Sequence, residues 1–320
     1  MQIKEQLKGF FTEHWKYMAV SAACKLNIFD AVKSGMNGID DLTNQNKLNA
    51  KQLVQLLNAL VESEFLSVNN GRFYLTEQAE YLTEDHEDSL KYACQIWSSE
   101  HLDMWQNLPK LIETGKSTFH QEHGKSYFSF LNDNPKKLLE YHKAMHEYAR
   151  DDYKFIGAVI DFSIHHSVLD VGGGFGALIK AIKDAYPMLN CHLMDLAKVV
   201  GHVSFTDIEI HSGDFFSSIP KVADGIVLSR VLHDWNDQNA LVILNNCFDA
   251  LPRNGRLYVI ENCLNELKSN LSLLNLNMAL MCDSFERTSL EFEKLADQTG
   301  FTFLEKKKLN ALQTILTFEK

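Results

Sequence analysis

Val168-Leu-Asp-Val-Gly-Gly-Gly-Phe-Gly176, running into the amphipathic stretch Ala177–Ala185, decides how the rest of the chain is read. A short apolar run ending in an acid and then a glycine cluster predicts a buried parallel strand that turns sharply into a helix. The glycines let the backbone reach positive φ and let a ligand lie against bare main chain, so the loop is of the nucleotide-cofactor type. Gly172, Gly174 and Ala177 also satisfy the G-x-G-x-x-A dinucleotide fingerprint, and glycine spacing alone leaves both cofactor classes open. Asp170 favours one of them. An acid this close to the first glycine would face a dinucleotide's pyrophosphate, but it suits the ammonium group of S-adenosylmethionine.

Downstream, the pattern alternates strand and helix, as a doubly wound sheet does. Strands are predicted at 168–171, 190–194, 208–211, 225–228, 256–260, 301–304 and 314–318, with helices at 177–185, about 237–251 and 290–299. Gly300 suits the residue after the last helix. Functional side chains in such sheets sit past the carboxyl ends of the strands, which picks out Asp170, Asp195, Asp214, His233 and Glu261.

Upstream, residues 1–90 carry helical spacing over 10–32, 39–43 and 50–63. A hairpin signal follows, in which Asn70-Gly71 forms the turn between 65–68 and 72–76. Helices followed by a hairpin make a winged-helix layout. This stretch holds eight Lys/Arg against thirteen Asp/Glu, the wrong sign for phosphate contact, so subunit pairing is the expected role. Residues 91–165 read as a helical connecting region rich in aromatics, most of them packing. Three domains are thus expected, at 1–90, 91–165 and 166–320.

The net charge of −11 argues against nucleic-acid or anionic-membrane partners. No apolar run approaches the roughly 20 residues that span a bilayer, and the first ten residues lack a signal-peptide layout, so a cytoplasmic protein is expected. The six scattered cysteines read as reduced core residues. No His/Cys/carboxylate cluster has metal-ligand spacing, and no metal is expected. Lys306–Lys308 reads as a solvated turn.

In order along the chain stand Leu169-Asp-Val-Gly-Gly-Gly-Phe-Gly-Ala, Met194-Asp-Leu, Gly213-Asp-Phe-Phe-Ser-Ser-Ile-Pro, Ala223-Asp, Leu232-His-Asp-Trp-Asn-Asp and Glu286-Arg-Thr. This succession resembles the metal-independent small-molecule O-methyltransferases, the family of the caffeic-acid, acetylserotonin and bacterial polyketide-tailoring enzymes. The resemblance covers nearly the whole chain. It implies an α/β fold, with a Rossmann-like class I methyltransferase domain on a doubly wound, seven-stranded sheet and an N-terminal winged-helix dimerisation domain. It also implies a homodimer, S-adenosylmethionine as cofactor, and a small aromatic hydroxyl as acceptor. Two departures stand out: Ser229 occupies a position where plant members usually carry lysine, with Arg230 adjacent, and Ala197 replaces a proline.

Methyl transfer to a phenol needs the phenol's proton removed near neutral pH, a task that suits histidine. The family's base matches His233, and its supporting acids match Glu261 and Glu286, which would orient the imidazole and stabilise its protonated form. For the cofactor, Asp170, Gly172 and Gly174 would take the methionine end, and Asp195 with Leu196 the ribose hydroxyls. Asp214 with Phe215 would address the adenine, and Ser229 and Arg230 border the site. Asp214 read blandly is a turn residue, and Met145 plain core. Met145, Asp234 and Trp105 would touch the acceptor. The same fold and cofactor also serve N- or C-methylation and non-methylating rearrangements, and a nicotinamide oxidoreductase or a ligand-sensing regulator is a more distant reading.

Overall fold

A computed structural model describes residues 2–264 and 271–320. The chain forms two compact units: Met1–Leu102 with Lys143–Tyr148, and Asp103–His142 with Ala149–Lys320. The helical stretch expected at 91–165 is therefore divided between the two units.

In the first unit the helical spacing over 10–32 resolves into the helices Gln2–Thr12, His14–Lys25 and Ile28–Lys33. The last break falls at Asn27, whose φ of 53° lies in the left-handed region that asparagine tolerates better than most residues. Helix Ala50–Glu62 begins at Asn49, whose side chain accepts from the Lys51 and Gln52 amides. It buries Leu53, Leu57 and Leu60, one face at helical spacing. Strands β1 (Leu66–Asn69) and β2 (Arg72–Leu75) pair antiparallel around Asn70-Gly71, both at positive φ, as the tightest hairpin turn requires. Helix Gln2–Thr12 buries nothing, and Ile3, Phe10, Phe11 and Trp15 are each more than 60% exposed.

The second unit is built on seven strands: β3 (Ser167–Val171), β4 (Asn190–Asp195), β5 (Ile208–Ser212), β6 (Gly225–Ser229), β7 (Arg256–Asn262), β8 (Thr302–Lys308) and β9 (Gln313–Glu319). Their order is β5-β4-β3-β6-β7-β9-β8, parallel except for β9, which runs antiparallel to both neighbours. Strand β3 is buried on both faces because helices cover both. Leu169 and Val171 pack with Ile243, Leu244 and Cys247 of helix Asp237–Ala250, while Val168 packs with Leu178, Ile179 and Ile182 of helix Ala177–Ala185. Each buried Leu, Ile or Val contributes about 1.5–3 kcal/mol, so the two layers fix the sheet more firmly than any polar contact at its rim. The chain leaves β3 toward β4 on one side and returns through β6 on the other. The carboxyl ends of β3 and β6 therefore flank the crevice where ligands of such sheets bind.

Lys306–Lys308 is not the solvated turn expected from its charge. It completes β8, the edge strand, with Lys306, Lys307 and Lys308 paired to Leu316, Ile315 and Thr314. Lysines on an exposed edge oppose pairing with a second sheet, a reason for the charge run that does not need a turn. All six cysteines are free thiols, four of them buried.

Candidate active site

At the β3 end, Gly172 and Gly174 hold φ of 70° and 58°, backbone that L side chains rarely adopt. Gly173 is constrained by space instead. A Cβ there would stand 2.4 Å from Asp170 Oδ2 and 2.6 Å from Leu193 Cδ1. Phe215 and Val231 crowd Gly172, and His142 lies against Gly174. Asp170 is 1% exposed, and its Oδ2 has no hydrogen-bond partner in the protein. Burial, and then the neighbouring charge of Asp195, push its carboxyl up to about 7. A buried, unpartnered acid beneath a bare glycine cradle fits a ligand that brings a cation and lies flat on main chain. The ammonium and amino-acid end of S-adenosylmethionine has that chemistry.

Asp195 closes β4 with each oxygen on one amide. Oδ2 accepts from Gly174 N at 2.8 Å and Oδ1 from Leu196 N at 2.7 Å. Burial lifts its carboxyl to about 6 against the pull of those amides. Both oxygens keep lone pairs for further donors, as a ribose diol requires. Asp214 is exposed, and its Oδ1 accepts from Phe216 N at 2.8 Å, so it closes a turn on its own loop. Asn246, from helix Asp237–Ala250, donates to the Phe215 and Phe216 carbonyls and fixes that loop.

The β6 end turns through Arg230, at φ 53°, into a single helical turn, Leu232–Asp234. His233 is 4% exposed, and its Nδ1 lies 2.9 Å from Oε1 of Glu286, which is fully buried. Glu261 does not touch the ring. Its Oε1 accepts the main-chain amides of Val231, Leu232 and His233 at 3.0, 2.9 and 3.4 Å. Sequence reasoning paired both acids with the imidazole. In the structure one holds the imidazole and the other holds the turn that carries it. Asp234 Oδ1 stands 3.6 Å from His233 Nε2, too far for a hydrogen bond but close enough for its charge to act. Burial disfavours the imidazolium, yet Asp234, Glu261 and Glu286 outweigh burial and raise His233 to about 9. Burial likewise raises Asp234 to about 6 and Glu261 to about 7.

Two residues to which sequence reasoning gave no role, Arg287 and Asn275, complete the turn. Arg287, fully buried, donates to the Leu232 and Trp235 carbonyls at 2.9 and 2.8 Å and pairs with Asp237 at 2.7 Å. Asn275 Oδ1 accepts from Glu286 N at 2.9 Å and so fixes the acid that fixes the base. Ser229 Oγ is 2.7 Å from the Tyr153 hydroxyl. The Arg230 guanidinium feels the charges of Glu286, Glu261 and Asp152, so both residues engage protein groups. The advance signal for Arg287 was its place in the Glu286-Arg-Thr motif.

Of the three acceptor candidates, Asp234 lies beside His233. Trp105 packs with an aromatic cluster containing Phe119, Tyr127, Leu280 and Met281, and its Nε1 donates to Asn277 at 3.1 Å. Met145, half-buried, falls in the 143–148 segment of the first unit. The sequence has no His/Cys/carboxylate cluster at metal-ligand spacing, but the fold brings one group together in space. Among the described residues, His192, Glu209 and His211 bring potential ligand atoms within 4.8 Å of one another. They lie on two strands, where linear spacing does not reveal them.

A family model for the O-methyltransferase domain matches residues 105–302, and one for the O-methyltransferase dimerisation domain matches residues 9–85. Phenazine O-methyltransferase of Lysobacter antibioticus is 29% identical, the match covering 92% of this chain and 90% of that protein. Cephaeline 6'-O-methyltransferase of Carapichea ipecacuanha is 30% identical over 89% of this chain and 87% of that one. The crystal structure of human N-acetylserotonin methyltransferase in complex with S-adenosylmethionine superposes with a TM-score of 0.88 at 25% identity, covering 100% and 98% of the two chains.

Proposed function

The chain belongs to the S-adenosylmethionine-dependent O-methyltransferase family, and on that premise we propose that it methylates a hydroxyl of a small aromatic acceptor with His233 as general base. Bound S-adenosylmethionine supplies a sulfonium whose methyl group is open to attack by an oxygen nucleophile. The residues of this chain do the rest. Asp170 and the 172–174 main chain hold the amino-acid end, and Asp195 takes the ribose. Asp214 and Phe215 address the adenine.

The observation that carries the reading is the His233–Glu286 pair. A carboxylate on Nδ1 fixes the tautomer in which Nδ1 carries the proton, which leaves the Nε2 lone pair to accept one from the acceptor hydroxyl. Glu261 places the imidazole by holding three amides of its turn, and Asp234 beside Nε2 stabilises the positive charge that forms there. With a pKa of about 9 the ring holds its proton at neutral pH, and a cationic ligand nearby favours the neutral form that accepts a proton. The aromatic character of the acceptor is inferred from the relatives, which act on phenazine and N-acetylserotonin by name.

The test is single-turnover methyl transfer to two phenols of different acidity, by wild type and His233→Gln. The variant should lose about 10²- to 10⁴-fold in rate, more for the less acidic phenol, while S-adenosylhomocysteine affinity stays nearly unchanged. A wild-type rate in the variant would remove His233 as the base, and parallel loss of rate and affinity would make it structural.

We also propose that the enzyme is a homodimer paired through the first unit. Its dimerisation-domain match and the exposed Ile3, Phe10, Phe11 and Trp15 support this, because so large an apolar face is rarely left to water. Sedimentation at micromolar concentration should give twice the chain mass, and a monomer there would overturn the proposal.

A further inference from the structure

On β4 and β5, the pair that ends the sheet, residues in parallel register share a face. His192 lies opposite Glu209, and Met194 opposite His211. Two histidines and a glutamate therefore converge on one spot although His192 stands 17 and 19 positions before the other two along the chain. His192 Nδ1 and His211 Nε2 stand 3.1 Å apart. The Glu209 carboxylate offers Oε2 at 3.5 Å from the first nitrogen and Oε1 at 3.7 Å from the second. An ion with ligands at roughly 2.0–2.2 Å sets its neighbouring ligand atoms about 3.0–3.5 Å apart; two of these separations fall in that range and the third lies just above it. His192 is nearly buried, His211 partly so, and Glu209 exposed, which leaves the third side open to water.

We propose that His192 Nδ1, His211 Nε2 and the Glu209 carboxylate form a binding site for a divalent cation of the zinc type at this sheet edge. Two imidazoles with one carboxylate suit Zn²⁺ and its neighbours in the transition series, whereas Mg²⁺ prefers oxygen ligands alone. A cation here ties the edge strand β5 to β4 through three side chains at once, in place of the single hydrogen bond between the two imidazoles. None of the three side chains belongs to the crevice at the β3 and β6 ends, so the ion is structural and methyl transfer does not depend on it.

The experiment uses the full chain, stripped with EDTA and dialysed. Co²⁺ and Zn²⁺ are the probes, read by the visible absorption of bound Co²⁺ and by thermal melting. One Co²⁺ per chain is expected, with a melting temperature higher by about 5 °C at saturating Zn²⁺ and turnover unchanged. His211→Gln, on the half-exposed strand, should fold normally and bind at least about 10²-fold more weakly, and Glu209→Gln about tenfold more weakly. A stripped protein that takes up neither ion overturns the proposal. So does uptake that is equal in wild type, His211→Gln and Glu209→Gln, since the ion then sits elsewhere, or uptake of Mg²⁺ as readily as Zn²⁺.

Discussion

The two ends of the crevice are built from different materials. At the β3 end, the cradle is main chain: four glycines inside one nine-residue stretch, with Asp195 tied to the Gly174 amide. At the β6 end, it is side chain: His233, Glu261, Asn275, Glu286 and Arg287 arrive from elements far apart in sequence and hold one another. The first end has no volume to spare, and the second has no charge to spare. A methyl group should therefore damage one end, and a lost carboxylate the other.

The sharpest way to break this contrast is Gly173→Ala. The new Cβ meets Asp170 and Leu193 inside van der Waals contact, and both are buried. Overpacking of this kind costs about 1–3 kcal/mol, and part of the relief must come from Asp170 moving out of place. A lower melting temperature and at least about tenfold weaker S-adenosylhomocysteine binding are expected by calorimetry, with the pH dependence of the remaining turnover unaltered. Wild-type affinity in this variant would mean that the loop can open at no cost.

Asp234→Asn probes the other end with almost no change in volume. In the wild type, three carboxylates raise His233 above the ordinary histidine value, so kcat/KM should climb as pH rises toward about 9 and the imidazolium gives up its proton. Removing the acid that contributes most to this rise leaves the neutral ring favoured. The rising limb should then move to lower pH, toward the ordinary histidine value of about 6.5, with cofactor affinity intact. A pH–rate profile that does not move would show that Asp234 exerts no charge on the base.

The same contrast explains what could be read in advance. The β3 end was legible because its parts are consecutive, and strand, turn and helix each have a local signature. Helix Ala177–Ala185, six strands of the sheet and the start of β8 follow from period and punctuation. At the β6 end the residues themselves were recognisable by resemblance, but their partners were not. Nothing local says that Glu261 grips amides rather than the ring, or that Asn275 and Arg287 complete the network. Those facts depend on which strand ends lie side by side. Lys306–Lys308 misled for a related reason, since charge alone cannot separate a turn from the exposed edge of a sheet.

The unpartnered oxygen of Asp170 has a thermodynamic consequence for loading the enzyme. With its carboxyl near pKa 7, the ligand-free protein carries a proton there in mildly acidic solution, and an arriving ammonium drives that proton off. Cofactor uptake is thus also an acid dissociation. Between about pH 5 and 7 each molecule bound should release part of a proton to the buffer, and the affinity should rise with pH across this window. Above it the carboxyl is already ionised, so release fades and the affinity levels off. Binding heats of S-adenosylhomocysteine measured at pH 6 in buffers of different ionisation enthalpy should fall on a sloping line, and at pH 8.5 on a nearly flat one. A flat line at pH 6 would mean that Asp170 does not carry the proton that the ligand displaces.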